Sequence, residues 1–242
     1  MKLLVSVRSA QEALLAADAG ADFIDCKEPH AGALGALPLE TLSTVVAALR
    51  TRHPGRPISA TVGDFAADAL GPVLERVAAT AACGVDYVKV GVLPGARLLL
   101  DALAQCNAAV VPVFIADAGL DEALLARACE HEFPALMLDT ADKTRGSLFD
   151  MLDEAALRRF VLRARAASKL SGLAGALRRQ HLPRLAALAP DFAGFRSAVC
   201  EGARTEALSV PRLHELRAAL QRPAPFQDAS GDAPQHRLAA CG

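Results

Sequence analysis

Short apolar or β-branched runs alternate with longer Ala- and Leu-rich stretches whose apolar positions recur at helical spacing. That pattern reads as repeated βα units around parallel strands. Strands are predicted at Leu3 to Val7, Phe23 to Lys27, Ile58 to Val62, Tyr87 to Gly91, Val110 to Ile115, Ala135 to Asp139, Lys169 to Gly172 and Phe192 to Arg196. Helices are predicted near 9–19, 39–52, 70–82, 96–106, 121–130, 153–167, 178–188 and 207–220, several opened by Ser9, Pro38, Pro72, Asp121 or Asp153. Eight strands each followed by a helix, in 242 residues, match the (β/α)8 TIM barrel; an open doubly wound sheet is the weaker alternative. Three related turns, around Gly20, Gly84 and Pro190, each end a helix and start a strand, and glycine at two of them suits a left-handed helix stop. Beyond Leu220 the chain turns to Pro, Gln, Asp and Gly. The reading is one barrel domain over 1–220 and a flexible tail over 221–242.

Composition narrows the function. With 52% hydrophobic residues and 26 Lys+Arg against 27 Asp+Glu, the chain is neither disordered nor a generic polyanion binder, which sets nucleic acid aside. No apolar run reaches the roughly 18 residues of a membrane span, so no membrane partner is expected and the chain reads as cytoplasmic. Six scattered cysteines form no Cys-x-x-Cys pair and read as reduced thiols packed as small hydrophobes. No metal site or organic cofactor is implied. The apolar-rich helix layer is compatible with a homo-oligomer.

In barrels of this kind the active site lies at the C-terminal ends of the strands. The polar residues there are Asp25, Lys27, Asp64, Lys89, Asp117, Asp139, Lys143 and Arg196. Lysine usage sharpens the choice, because only five of the 26 basic residues are Lys, and Lys27, Lys89 and Lys143 fall at or just past strands two, four and six. Arginine serves for solubility, but its pKa above about 12 keeps it from becoming the neutral amine that attacks a carbonyl or removes a proton. Asp25 and Lys27, two apart on a strand, share a face. Lys27, Lys89, Asp139 and Arg196 are expected to form one layer, in which burial and clustered cations favour neutral amines. A buried salt-bridge lattice without chemistry is the bland alternative. Small residues after strands seven and eight, with Gly172, Gly175, Gly194, Arg196, Gly202 and Arg204, suggest a phosphate-binding site. The histidines lie in helices, loops or the tail, and only His30 is near a candidate site loop.

Several of these segments together resemble a known family. They are Ile24-Asp25-Cys26-Lys27-Glu28-Pro29 with Gly32-Ala33-Leu34-Gly35-Ala36, Ser59-Ala60-Thr61-Val62-Gly63-Asp64, Asp86-Tyr87-Val88-Lys89-Val90-Gly91, Met137-Leu138-Asp139-Thr140-Ala141 with Lys143, Leu148-Phe149-Asp150, and Leu173-Ala174-Gly175. In order and spacing they resemble the (5-formylfuran-3-yl)methyl phosphate synthases over about residues 1 to 220. The resemblance implies a lyase that condenses two molecules of glyceraldehyde 3-phosphate, with loss of phosphate and water, into the furan precursor of methanofuran-type cofactors of one-carbon metabolism. It also implies Lys27 as the Schiff-base lysine, Lys89 as the proton-accepting lysine, and Asp25, Asp139 and Lys143 as further functionally sensitive positions. Two other readings of the residues stay open: a class I aldolase for another sugar phosphate, and a non-catalytic sugar-phosphate-binding barrel.

Overall fold

A computed structural model describes residues 1–66 and 69–221; the expected tail lies, from residue 222, outside the described residues. Eight parallel strands close into a barrel in chain order: β1 (Lys2–Val7), β2 (Phe23–Cys26), β3 (Ile58–Thr61), β4 (Tyr87–Val92), β5 (Val110–Ile115), β6 (Ala135–Asp139), β7 (Leu170–Leu173) and β8 (Phe192–Phe195). Around them run α1 (Ala10–Asp18), α2 (Leu39–Arg52), α3 (Leu70–Ala82), α4 (Arg97–Leu103), α5 (Glu122–Glu130), α6 (Leu148–Met151), α7 (Glu154–Ala166), α8 (Leu182–Leu188) and α9 (Val210–Gln221). The TIM barrel expected from the pattern is the fold observed. No helix among the described residues is long and apolar enough to cross a membrane.

The strands form where they do because both of their faces are buried, so they read as nearly continuous apolar runs; all six residues of β5 are buried. Ser9, Asp121 and Asp153 cap α1, α5 and α7, their side chains accepting the N–H of Glu12, Leu124 and Ala156. The helix expected over 178–188 divides into a 3-10 turn, Arg179–His181, and α8. The extra turn α6 is held by Ser147, whose N–H and hydroxyl donate to Asp150 at 2.7 and 2.6 Å.

The three related turns carry one device in common. Gly20 and Gly84 adopt positive φ, and Ala189 does the same ahead of Pro190. The aspartate that follows each turn accepts a peptide N–H from the preceding strand: Asp22 from Leu3 at 2.7 Å, Asp86 from Ile58 at 2.7 Å, Asp191 from Ser171 at 2.8 Å. These bonds tie β1 to β2, β3 to β4 and β7 to β8 at the N-terminal end of the barrel.

Register sets the height of each inward residue. Asp25 pairs with Ser59 and Ser59 with Tyr87, and each step around the barrel climbs by about one residue. Asp25, Lys89, Met137 and Gly194 therefore share one interior tier, and Lys27, Gly91, Asp139 and Arg196 the tier above. The single expected layer of Lys27, Lys89, Asp139 and Arg196 is thus two tiers, with Lys89 in the lower one. Phe23 and Phe192, stacked 5.5 Å apart, form the apolar floor with Leu4, Val111 and Ala135.

Candidate active site

The lower tier holds a buried amine–carboxylate contact. Lys89 Nζ lies 2.9 Å from Asp25 Oδ1, and the two side chains are 3% and 1% exposed. Asp25 is pinned on both oxygens: Ser59 Oγ donates to Oδ1 at 2.6 Å and Ser6 Oγ to Oδ2 at 3.2 Å. Directly above, Lys27 Nζ donates to Asp139 Oδ2 at 3.1 Å. Asp139 Oδ1 accepts the N–H of Thr140 at 2.8 Å and a short hydrogen bond from Lys143 Nζ, which also donates to the Thr140 carbonyl and hydroxyl. All five residues singled out for chemistry, Asp25, Lys27, Lys89, Asp139 and Lys143, line one cleft at the C-terminal mouth of the barrel.

Burial and neighbouring charge pull the Asp139 carboxyl in opposite directions. Burial raises its pKa, but the cations of Lys143 and Lys27 outweigh that and hold it well below the ordinary carboxylate range. Lys143 moves the other way from an ordinary amine: burial lowers its pKa, Asp139 resists, and Lys27 adds repulsion. Cys26, between Asp25 and Lys27 in sequence, points out of the barrel and is fully buried; burial pushes its thiol far up, which leaves it inert as a nucleophile.

The candidate phosphate residues separate into two groups. Gly175, Gly194, Arg196 and Arg204 line the cleft. Gly175 has φ +110°, and a Cβ there would lie 2.8 Å from Thr140 Cγ2. Gly175, Ala176 and Ser197 line this cleft, and their N–H groups donate to no protein acceptor among the described residues. Arg204 reaches over the mouth to the Gly32 carbonyl at 3.4 Å and has no ion pair among the described residues. Gly172, by contrast, packs under the Phe192 ring, which would lie 2.2 Å from an added Cβ, and Gly202 packs against the Glu206 carboxylate.

Arg196 departs furthest from its expected role. Its five N–H donors are all used within the protein: on both oxygens of Glu12, at 2.5 and 3.1 Å, and on the carbonyls of Ser6, Arg204 and Glu206. It braces the loop after β8 instead of offering a donor to the cleft. Asp64 and Asp117 are likewise loop braces, accepting the N–H of Leu34 and of Ala141 and Asp142. His30 is exposed beside Arg8. Sequence reasoning missed Ser6, Ser59, Thr140 and Glu12. Ser6 and Ser59 are hydroxyls on strands, but only the register shows that they flank Asp25; Glu12 carried no local signal.

With the geometry in view, comparison with known proteins is decisive. A family model described as 4-HFC-P synthase matches residues 3–217. The chain belongs to that family. Among 4-HFC-P synthase relatives, a Methylorubrum extorquens protein provisionally named as a (5-formylfuran-3-yl)methyl phosphate synthase is 39% identical over 95% of each chain. The (5-formylfuran-3-yl)methyl phosphate synthases of Methanosarcina mazei and Methanopyrus kandleri are 32% and 37% identical, over 91% and 83% of this chain and 100% and 90% of theirs. The 3-hexulose-6-phosphate synthase of Salmonella typhimurium shares the fold, with a TM-score of 0.63 at 18% identity, covering 91% of this chain and 98% of that one.

Proposed function

We propose that this 4-HFC-P synthase family member condenses two molecules of glyceraldehyde 3-phosphate through a lysine Schiff base into (5-formylfuran-3-yl)methyl phosphate, releasing phosphate and water. The observation that carries the reading is the stacking of two buried amines, Lys27 over Lys89, each against its own carboxylate at the floor of one cleft. A solubility or surface ion pair needs neither lysine nor burial, and burying two such pairs costs desolvation that a purely structural role does not repay. Lys27 condenses with the aldehyde, expelling water, and the iminium makes the neighbouring C–H acidic. Lys89, one tier below, takes that proton. The enamine attacks the second triose. Lys143, at the cleft's edge and a stronger acid than an ordinary amine, protonates groups that leave as phosphate and water. Ring closure to an aromatic furan pulls the sequence forward.

Two phosphorylated substrates require two anion subsites. The N–H groups of Gly175, Ala176 and Ser197, without a protein acceptor among the described residues, suit one phosphate, as peptide donors on the loops after β7 and β8 commonly do. Arg204, without a carboxylate partner among the described residues and poised over Lys143 and Asp139, suits the other. Arg196 supports both by holding the loop that connects them.

The test is incubation of the protein with glyceraldehyde 3-phosphate alone, following inorganic phosphate and the ultraviolet absorbance of a conjugated furan aldehyde, with borohydride trapping of the adduct. Furan, phosphate and a reduced adduct on Lys27 are expected from the wild type, and none of them from Lys27→Arg, a drop of at least about a thousandfold for loss of a covalent nucleophile. A trapped adduct with an aldol but no furan would instead mark an aldolase, and no adduct at all would mark a binding barrel.

A further inference from the structure

Asp25 receives more hydrogen bonds than its pairing with Lys89 requires. The oxygen that meets Lys89 at 2.9 Å also accepts the Ser59 hydroxyl at 2.6 Å, and the other oxygen accepts Ser6 at 3.2 Å. Ser59 is buried on the inward face of β3, and among the described residues this is the one hydrogen bond its side chain makes. Asp139 is dressed differently, by two amines and a peptide N–H. One carboxylate is clamped by hydroxyls beneath a single amine, and the other sits between two amines.

We infer that Ser59 is a positioning residue for proton removal: it immobilises Asp25, and through Asp25 it aims Lys89 at the carbon next to the Lys27 iminium. The inference rests on the Schiff-base reading above. In the step concerned, the Lys89 lone pair takes the proton, the C–H electron pair becomes the enamine double bond, and the iminium nitrogen becomes neutral as its π pair moves onto it. Lys89 turns into an ammonium 2.9 Å from a carboxylate that is already fixed, so its new charge is met without rearrangement. A carboxylate short of one clamp would swing with the amine and carry it out of line, which proton transfer tolerates poorly. Ser59 touches no reacting atom. Under this assignment the two carboxylates divide the work: Asp25 is the fixed counter-ion of Lys89, and Asp139 holds Lys27 and Lys143.

Ser59 also borders a small apolar cavity of about 30 Å³ with Phe23, Tyr87, Val111 and Phe192, so Ser59→Thr has room for its methyl group while keeping the hydroxyl. The experiment compares the full-length wild type with Ser59→Ala and Ser59→Thr on glyceraldehyde 3-phosphate. Two quantities are read: the fraction of Lys27 trapped by borohydride, and the rate at which deuterium from D2O enters the carbon next to the carbonyl. Trapping is expected to be equal in all three. Exchange and turnover are expected to fall about ten- to a hundredfold in Ser59→Ala, the scale of one hydrogen bond to a charged group, and to return to within about threefold in Ser59→Thr. Wild-type exchange in Ser59→Ala, failure of Thr to rescue, or a parallel loss of trapping and exchange would each overturn the inference. If Ser59→Ala does not fold, Ser59→Cys, a weak donor of similar size, carries the same comparison and is expected to fall between the two. Absence of any trapped adduct in the wild type would sink the Schiff-base reading itself.

Discussion

At Asp139 three donors converge on one carboxylate, and its titration couples the site to stability. A carboxyl whose pKa is depressed in the fold contributes stability above its unfolded value of about 3.9, and that share is lost as pH falls through the folded value. Urea unfolding of the wild type is therefore expected to be steady from about pH 7 to 5 and to weaken below about pH 4. Other carboxyls held low in the fold, among them Asp101, Asp121 and Asp150, contribute to that fall, so the comparison that isolates the buried Asp139 is with Asp139→Asn, expected to be less stable at neutral pH and flatter in acid. Parallel curves would show that Asp139 carries no such linkage. The same residue was legible from sequence as a polar residue at a strand end, and Lys27, Lys89 and Lys143 also by the scarcity of lysine in the chain. Ser6 and Ser59 were not, since a hydroxyl at an inward position declares itself only once the register shows which carboxylate it faces.

Between elements, the decisive tie is Glu12 of α1 to Arg196 past β8, a bidentate pair separated by 184 residues in the chain. Glu12 also accepts the N–H of Arg8, so one buried carboxylate joins the β1–α1 turn to the loop that carries Arg204. Removing one partner strands the other charge. Glu12→Ala is expected to cost about 3–5 kcal/mol by chemical denaturation, while a Glu12→Leu, Arg196→Met pair of similar volume is expected to recover most of it. A cost under about 1 kcal/mol would mean that the pair behaves as a surface ion pair. This tie also explains what the chain could not reveal by itself. Strand number and order followed from local periodicity, and the caps at Ser9, Asp121 and Asp153 from local residue types. The role of Arg196 depended on a helix at the opposite end of the sequence, and the height of Lys89 below Lys27 depended on the stagger accumulated around the closed sheet. Neither leaves a local trace.

Across the whole barrel the interior and the mouth do different work, and two glycines three residues apart in one βα unit separate them. Gly172 lies within β7, where the Phe192 ring fills the space a side chain would need; Gly175, three residues on, lines the cleft, and its N–H has no protein acceptor among the described residues. Sequence placed both in one phosphate loop, because small residues in a row look alike until it is known which of them line the floor. If the N-terminal half of the interior serves packing and the C-terminal half chemistry, the two substitutions should fail in different ways. Gly172→Ala forces a methyl into an aromatic ring and is expected to cost about 1–3 kcal/mol, a fall of roughly 2–4 °C in Tm per kcal/mol, with phosphate affinity per folded molecule unchanged. Gly175→Ala pushes on Thr140 and strains a positive φ beside the anion cradle, so it is expected to weaken inorganic phosphate binding about tenfold or more, with a smaller loss of Tm. Calorimetric titration with phosphate, alongside thermal unfolding of both variants, decides between the ends. Equal losses of affinity would mean that the loop after β7 acts as one unit and that the cradle extends down into the strand.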